Sequence, residues 1–109
     1  MRIISKRRLR EFWQRHADAE LPLQAWWRIV GDRDVHWRHI HDVKATFAGV
    51  DGFNLPCGVP VVVFNVGGNK YRLVARIDYD YARVFVKAVL THKQYDAESW
   101  KDQICQGLL

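Results

Sequence analysis

The segment from Val61 to Asp78 constrains the fold more than any other part of the sequence. Val61-Val-Val-Phe-Asn-Val66 is apolar and rich in β-branched residues, Gly67-Gly68-Asn69 accepts positive φ, and Lys70 to Asp78 alternates. Two β-prone runs joined by such a turn predict a tight hairpin. In the second run Tyr71, Leu73, Ala75 and Ile77 point one way, while Arg72, Val74 and Arg76 point the other. Lys70 is expected to project with Arg72 by the same period of two. Asp78-Tyr-Asp-Tyr-Ala82 reads as a connecting turn. Arg83 to Leu90 reads as a third strand, apolar on both sides as a central strand would be.

The first half has a different period. Arg2-Ile-Ile4 is a short β-prone stretch and Ser5 is a good helix N-cap. Leu9, Phe12, Trp13 and His16 then recur at helical spacing, which predicts a helix over residues 6–16. Asp18-Ala-Glu20 opens a second helix, with Pro22 in its first turn and Leu23, Trp26, Trp27 and Val30 on one face. Gly31 ends it. Asp32 to Asp42 is polar and reads as a loop, Val43 to Phe47 as a short helix, and Asp51-Gly52 and Pro56 to Pro60 as turns. Ala97 to Leu108 is a weak terminal helix, with Asp96 as its expected cap. The whole is α+β: N-terminal helices packed on one face of a small, mainly antiparallel sheet, followed by a short C-terminal helix. This segregation argues against a nucleotide-binding βαβ fold.

At 109 residues the chain has the length of one domain, residues 1–109, and 49% hydrophobic residues suffice for a packed core. The longest apolar run, Val59 to Phe64, is broken by Pro60 and falls far short of a membrane span. A formal charge of +5 favours phosphate-bearing partners or an acidic protein. Without a secretory signal, Cys57 and Cys105 read as reduced thiols of a cytoplasmic chain.

The residues that could carry chemistry gather near the sheet. Lys70, Arg72 and Arg76 lie on the hairpin, Lys87 is a lone charge in an apolar strand, and His92, Lys93 and Tyr95 follow where that strand ends. Such a group suits phosphodiester cleavage by a ribose 2′-hydroxyl. That reaction needs a proton acceptor, positive charge for the developing phosphorane and a donor for the leaving 5′-oxygen. Arginine and lysine supply the charge without a metal, and histidine exchanges protons near neutrality. A tyrosine can stack on a base, or move a proton if cations lower its pKa. The run Lys6-Arg7-Arg8 with Arg10 reads first as a solvated helix face, and alternatively as a contact for RNA phosphate. His36, His39 and His41 lack regular ligand spacing and read as solvated loop histidines, so no metal or cofactor is assigned. Trp13, Trp26, Trp27 and Trp37 fall at spacings that favour core burial over base stacking.

Val63-Phe-Asn-Val-Gly-Gly-Asn-Lys-Tyr-Arg-Leu-Val74, followed by Val89-Leu-Thr-His-Lys-Gln-Tyr-Asp96, resembles the HigB family of type II toxins in the RelE/ParE superfamily. Arg2-Ile-Ile-Ser-Lys-Arg-Arg-Leu9 with Phe12-Trp13, and Asp42-Val-Lys-Ala-Thr-Phe47, are similar to its start and middle. The resemblance implies a RelE/ParE-like fold and an endoribonuclease that cleaves messenger RNA, commonly in the ribosomal A site. It also implies a HigA-type helix-turn-helix antitoxin, through which alone operator DNA would be contacted. By position it implies a catalytic group of Lys70, Arg72, Lys87, His92 and Tyr95. Arg72 and Lys87 would stabilise the phosphorane. Lys70 would bind the adjacent phosphate or take part in proton transfer, His92 would be the acid or base, and Tyr95 would stack or donate. Asn69, Arg76, Lys93, Lys6, Arg7 and Arg10 would contact RNA, with Asn69 equally a turn residue. Lysine at 87, where the family often has arginine, gives point-charge rather than bidentate binding. Two other readings stay open: a toxin of this fold that poisons gyrase by protein contact, and an RNA-binding module that cuts nothing.

Overall fold

The computed structural model describes residues 1–109, and its central feature is one five-stranded sheet. In chain order the elements are strand β1 (Arg2–Ile4), helix α1 (Lys6–Arg15), a 3-10 turn (Ala17–Ala19) and helix α2 (Glu20–Val30). Helix α3 (Ile40–Thr46) leads to strands β2 (Asp51–Asn54), β3 (Pro60–Val66), β4 (Tyr71–Asp78) and β5 (Arg83–Thr91). Helices α4 (His92–Ala97) and α5 (Ser99–Cys105) are the last elements.

The strands lie in the order β1-β5-β4-β3-β2. β2 through β5 are antiparallel neighbours, and β1 joins the far side of β5 in parallel, pairing Arg2 with Arg83 and Ile4 with Phe85. The fold is therefore α+β as expected; the β-prone Arg2–Ile4 is a strand, and β2 is one strand more than the sequence indicates. Asp51-Gly52 is not a turn: it begins β2, which pairs Asp51 with Val63 and Asn54 with Pro60. Turn-forming composition lost there to pairing with a strongly β-prone partner. β5 is an interior strand, as its two-sided apolar sequence indicates.

Helical periodicity explains the first face. Leu9 and Phe12 of α1 and Leu23, Trp26 and Val30 of α2 are buried against Phe64, Tyr71, Leu73, Val84 and Val86 of the sheet. Trp37 joins this core, and Trp13 and Trp27 pack against it, so the tryptophans serve burial as their spacing indicates. The opposite face is covered as well. Trp100 and Ile104 of α5 lie over Val61, Val63, Val74 and Ala88 in a second core. The single terminal helix of the sequence reading is two helices, broken at Glu98 in the left-handed region (φ 62°). That break turns α5 back across the sheet.

The pairing of β4 with β5 steps from Val74↔Ala88 to Ala75↔Val86, so Lys87 is the extra residue of a bulge. The two cysteines also depart from expectation. Cys57, in the loop before β3, and Cys105, at the end of α5, form a disulfide with Cα atoms 5.9 Å apart. Their separation of 48 residues hides the contact in the sequence; the return of α5 over the sheet creates it. Closing a loop of that length removes unfolded-state entropy, a gain on the order of 2–4 kcal/mol. Urea unfolding is expected to show the stability falling by about that amount on reduction, and equally in the Cys57→Ser/Cys105→Ser double variant.

Candidate active site

The β3–β4 turn sets the geometry. Gly67, Gly68 and Asn69 all take positive φ (63°, 60° and 72°). Asn69 is thus a turn residue, and its carbonyl accepts a 2.7 Å hydrogen bond from Nη1 of Arg72. The same nitrogen reaches the Tyr71 carbonyl at 3.2 Å. Nε and Nη2 of Arg72 make no protein hydrogen bond, so an anion can engage them. The guanidinium lies over the Tyr95 ring, 5.6 Å from its centroid.

Tyr95 belongs to α4, which begins where β5 ends. Thr91 caps this helix reciprocally with Gln94: the Gln94 amide donates to the Thr91 hydroxyl at 3.2 Å, and the Thr91 amide donates to the Gln94 side chain at 2.9 Å. On the α-helical period His92, Tyr95 and Asp96 share one side. Nδ1 of His92 stands 2.8 Å from the Asp96 carboxylate. Asp96 is not the cap of the last helix, a place taken by Glu98; it holds the imidazole through Nδ1 and leaves Nε2 facing outward from that contact. Tyr95 stacks on Trp100 (5.4 Å, 16° between planes), and the Trp100 indole N–H donates to the Tyr95 carbonyl at 3.0 Å. Burial, with the Asp51 charge, pushes the Tyr95 phenol up against the smaller opposing pull of Lys101 and Arg72. The cations do not make it acidic, so it stays protonated at neutral pH.

Lys70 does not project with Arg72. It is still in the turn, and its ammonium pairs with Asp18 of the 3-10 segment, as does the Tyr71 hydroxyl. The period of two fails at Lys70 because the strand has not yet begun. The hydrogen bond from Lys70, then that from Tyr71, holds the Asp18 carboxyl below its usual range, and Asp18 raises both partners.

Lys87 is also placed apart. Between Arg72 and Arg76 on β4 lies Val74, which with Ala88 is buried under Trp100 and Ile104. Helix α5 thus separates Arg72, His92 and Tyr95 from a groove holding Arg76 and Lys87. Of the remaining cations, Lys93 is exposed on α4. Lys6 sits over the Trp27 ring at 5.1 Å, Arg7 is paired with Glu11 at 2.8 Å, and Arg10 is exposed. Three of the six basic or turn residues expected at RNA (Lys6, Arg7 and Arg10) thus lie on α1, away from the α4 group. The rings of His39 and His41 contact each other at 5.4 Å, and no three His, Cys, Asp or Glu side chains in the chain are arranged to hold a metal ion. Residue spacing did not reveal Asp18 or Trp100, which act through tertiary contacts; Asp96 as a histidine partner is a local i,i+4 contact that the reading of Asp96 as a helix cap passed over.

The Asp18 contacts have a defined pH dependence. Its lowered carboxyl contributes stability above the ordinary aspartate range, lost as pH falls through the folded value. The raised Tyr71 and Lys70 contribute below their ordinary values, lost as pH rises through the folded ones. The urea midpoint of Asp18→Asn is expected to lie below that of the parent protein across neutral pH. The gap should narrow both in strong acid and in strong alkali.

Residues 19–98 match the family model described as HigB_toxin, RelE-like toxic component of a toxin-antitoxin system. The chain is 27% identical over 96 residues to the mRNA interferase toxin HigB of Escherichia coli (strain K12), covering 88% of each protein. The mRNA interferase HigB of Shigella flexneri matches equally, and that of Escherichia coli O6:H1 is 29% identical over 96 residues, covering 88% of this chain and 89% of the relative.

Proposed function

Because the chain belongs to the HigB family of RelE-like toxins, we propose that residues 1–109 form one toxin domain that cleaves messenger RNA. It is the toxic half of a toxin–antitoxin pair, with mRNA as substrate and an antitoxin as protein partner. The reading carries further. The antitoxin is of the HigA helix-turn-helix type, operator DNA is met only through it, and the mRNA is cut in the ribosomal A site in the cytoplasm. No helix of the chain is long and apolar enough to cross a membrane.

One observation carries the catalytic reading. A guanidinium with unengaged N–H groups lies over Tyr95, on the helix whose preceding turn presents a carboxylate-held imidazole. The 2′-oxygen attacks the adjacent phosphorus as its proton passes to a base. The P–O5′ bond breaks and a donor protonates the leaving oxygen, giving a 2′,3′-cyclic phosphate and a 5′-hydroxyl. Arg72 stabilises the phosphorane with paired N–H donors. His92, oriented by Asp96, transfers the proton on one side of the phosphorus. Tyr95, still protonated, supports a base or donates to the leaving oxygen. Lys70, held by Asp18 with its proton more tightly bound, adds fixed charge for the neighbouring phosphate instead of exchanging protons. Asn69 shapes the turn, while Lys93 and the α1 cations Lys6, Arg7 and Arg10 contribute general attraction to RNA. The proposal calls on no cofactor.

Mapping 5′ RNA ends after induced expression tests this. Transcripts are expected to be cut, and cleavage to fall about 10²–10³-fold in Arg72→Ala. His92→Ala should lose about 10²–10⁴-fold. Intact transcripts with growth arrest and DNA damage would point to gyrase instead, and intact transcripts with tight RNA binding to a module that does not cut.

A further inference from the structure

We propose that Arg76 and Lys87 form a second phosphate seat, which takes a backbone phosphate of single-stranded RNA across α5 from Arg72. The substrate class rests on the messenger-RNA reading above; the seat itself rests on the geometry that follows.

Lys87 is the bulged residue of β5, two residues past its last pair with β1, and is half-buried. An ammonium so placed is costly without an anion beside it. It has none. The ion pairs of the chain engage Arg7, Lys70, His92 and Lys101, and none engages Arg8, Arg76 or Lys87. The aromatic neighbour of Lys87 is Phe85, 6.0 Å from Nζ to the ring centroid, a weak substitute for a counter-ion. Burial first, then the charges of Arg76 and Arg8, lower the hold of Lys87 on its proton. Gathering like charges around a half-buried ammonium is unfavourable until an anion enters.

The space beside them fits such a ligand. Arg76 and Lys87 line a groove of about 410 Å³ whose walls are the Cys57–Pro60 segment and the Ile104–Leu109 end of the chain. The Cys57–Cys105 disulfide ties those two walls together. The groove is within the size range of small-ligand sites, with cations on its floor and Val59, Pro60, Ile104 and Leu109 on its sides. A phosphodiester with its sugar and base matches both kinds of surface. Four steps along the strand separate Arg76 from Arg72, roughly 13 Å, and α5 sits between. The two arginines therefore take different phosphates.

The test is fluorescence anisotropy of a labelled, 2′-O-methylated oligoribonucleotide, measured over a salt series with the full chain. The Arg76→Gln/Lys87→Gln variant is expected to bind more weakly, with a log K against log [salt] slope about 0.7 shallower, from the one phosphate the seat neutralises. Lys87→Arg should keep the parent slope. Arg76→Gln alone, at an exposed position that the fold tolerates, should lose about half the effect. Unchanged affinity and slope in the double variant would overturn the seat. So would a slope unchanged for RNA but a loss of inorganic phosphate binding, seen as lost NMR shifts at residues 76 and 87, since the groove would then take small phosphates only. A loss confined to antitoxin binding would likewise overturn it, in favour of an acidic protein surface. The two readings fail separately. Cleavage lost in Arg72→Ala, with the double-variant slope unchanged, removes only the second seat. A shallower slope in a protein that cuts no RNA removes only the nuclease.

Discussion

The register of the β3–β4 hairpin is the constraint on which the rest depends. Gly67, Gly68 and Asn69 reverse the chain in left-handed backbone and fix Val66 opposite Tyr71 and Asn65 opposite Arg72. Side chains alternate along a strand, so a slip of one residue would exchange the two faces. Tyr71 and Leu73 would then leave the helical core, and Arg72 would enter it. The buried aromatic and leucine thus hold the arginine outward, and the turn carbonyl of Asn69 then aims its guanidinium. Core packing on one face and a cationic site on the other follow from one choice of pairing.

The second face depends on how α4 and α5 fold back. Thr91 and Gln94 cap the start of α4, and the left-handed Glu98 turns the chain so that Trp100 lands on the sheet. Trp100 serves two ends at once. It buries Val74 and Ala88, and it backs the Tyr95 ring that supports Arg72. The same helix divides the cations into two groups, which gives a continuous strand of RNA two places to be held. The disulfide fastens α5 at its far end to the loop before β3, so both groups share a braced wall.

Much of the fold was legible because its signals are local. The helical spacing of Leu9, Phe12, Leu23 and Trp26, the alternation from Tyr71 to Ile77 and the glycine-rich turn each report on neighbours in sequence. What escaped depends on distant contacts. Asp51-Gly52 reads as a turn until β3 supplies a partner, and Cys57 meets Cys105 only after α5 crosses the sheet. The candidate site divides differently. Arg72, His92 and Tyr95 were visible as residues at a strand end. The partition of Lys70 to Asp18, of Lys87 to Arg76 and of Asp96 to His92 was not, since it turns on a turn residue, a bulge and a helical i,i+4 contact.

The central claim is that Arg72 and the Asp96-held His92 act on one phosphodiester through attack by its own ribose hydroxyl. The chemistry of the RNA ends left by the purified toxin tests this most directly. The account requires a 2′,3′-cyclic phosphate (or its opened 3′-phosphate) on one fragment and a 5′-hydroxyl on the other. Fragments carrying a 5′-phosphate and a 3′-hydroxyl would show that water attacked instead, and would contradict it.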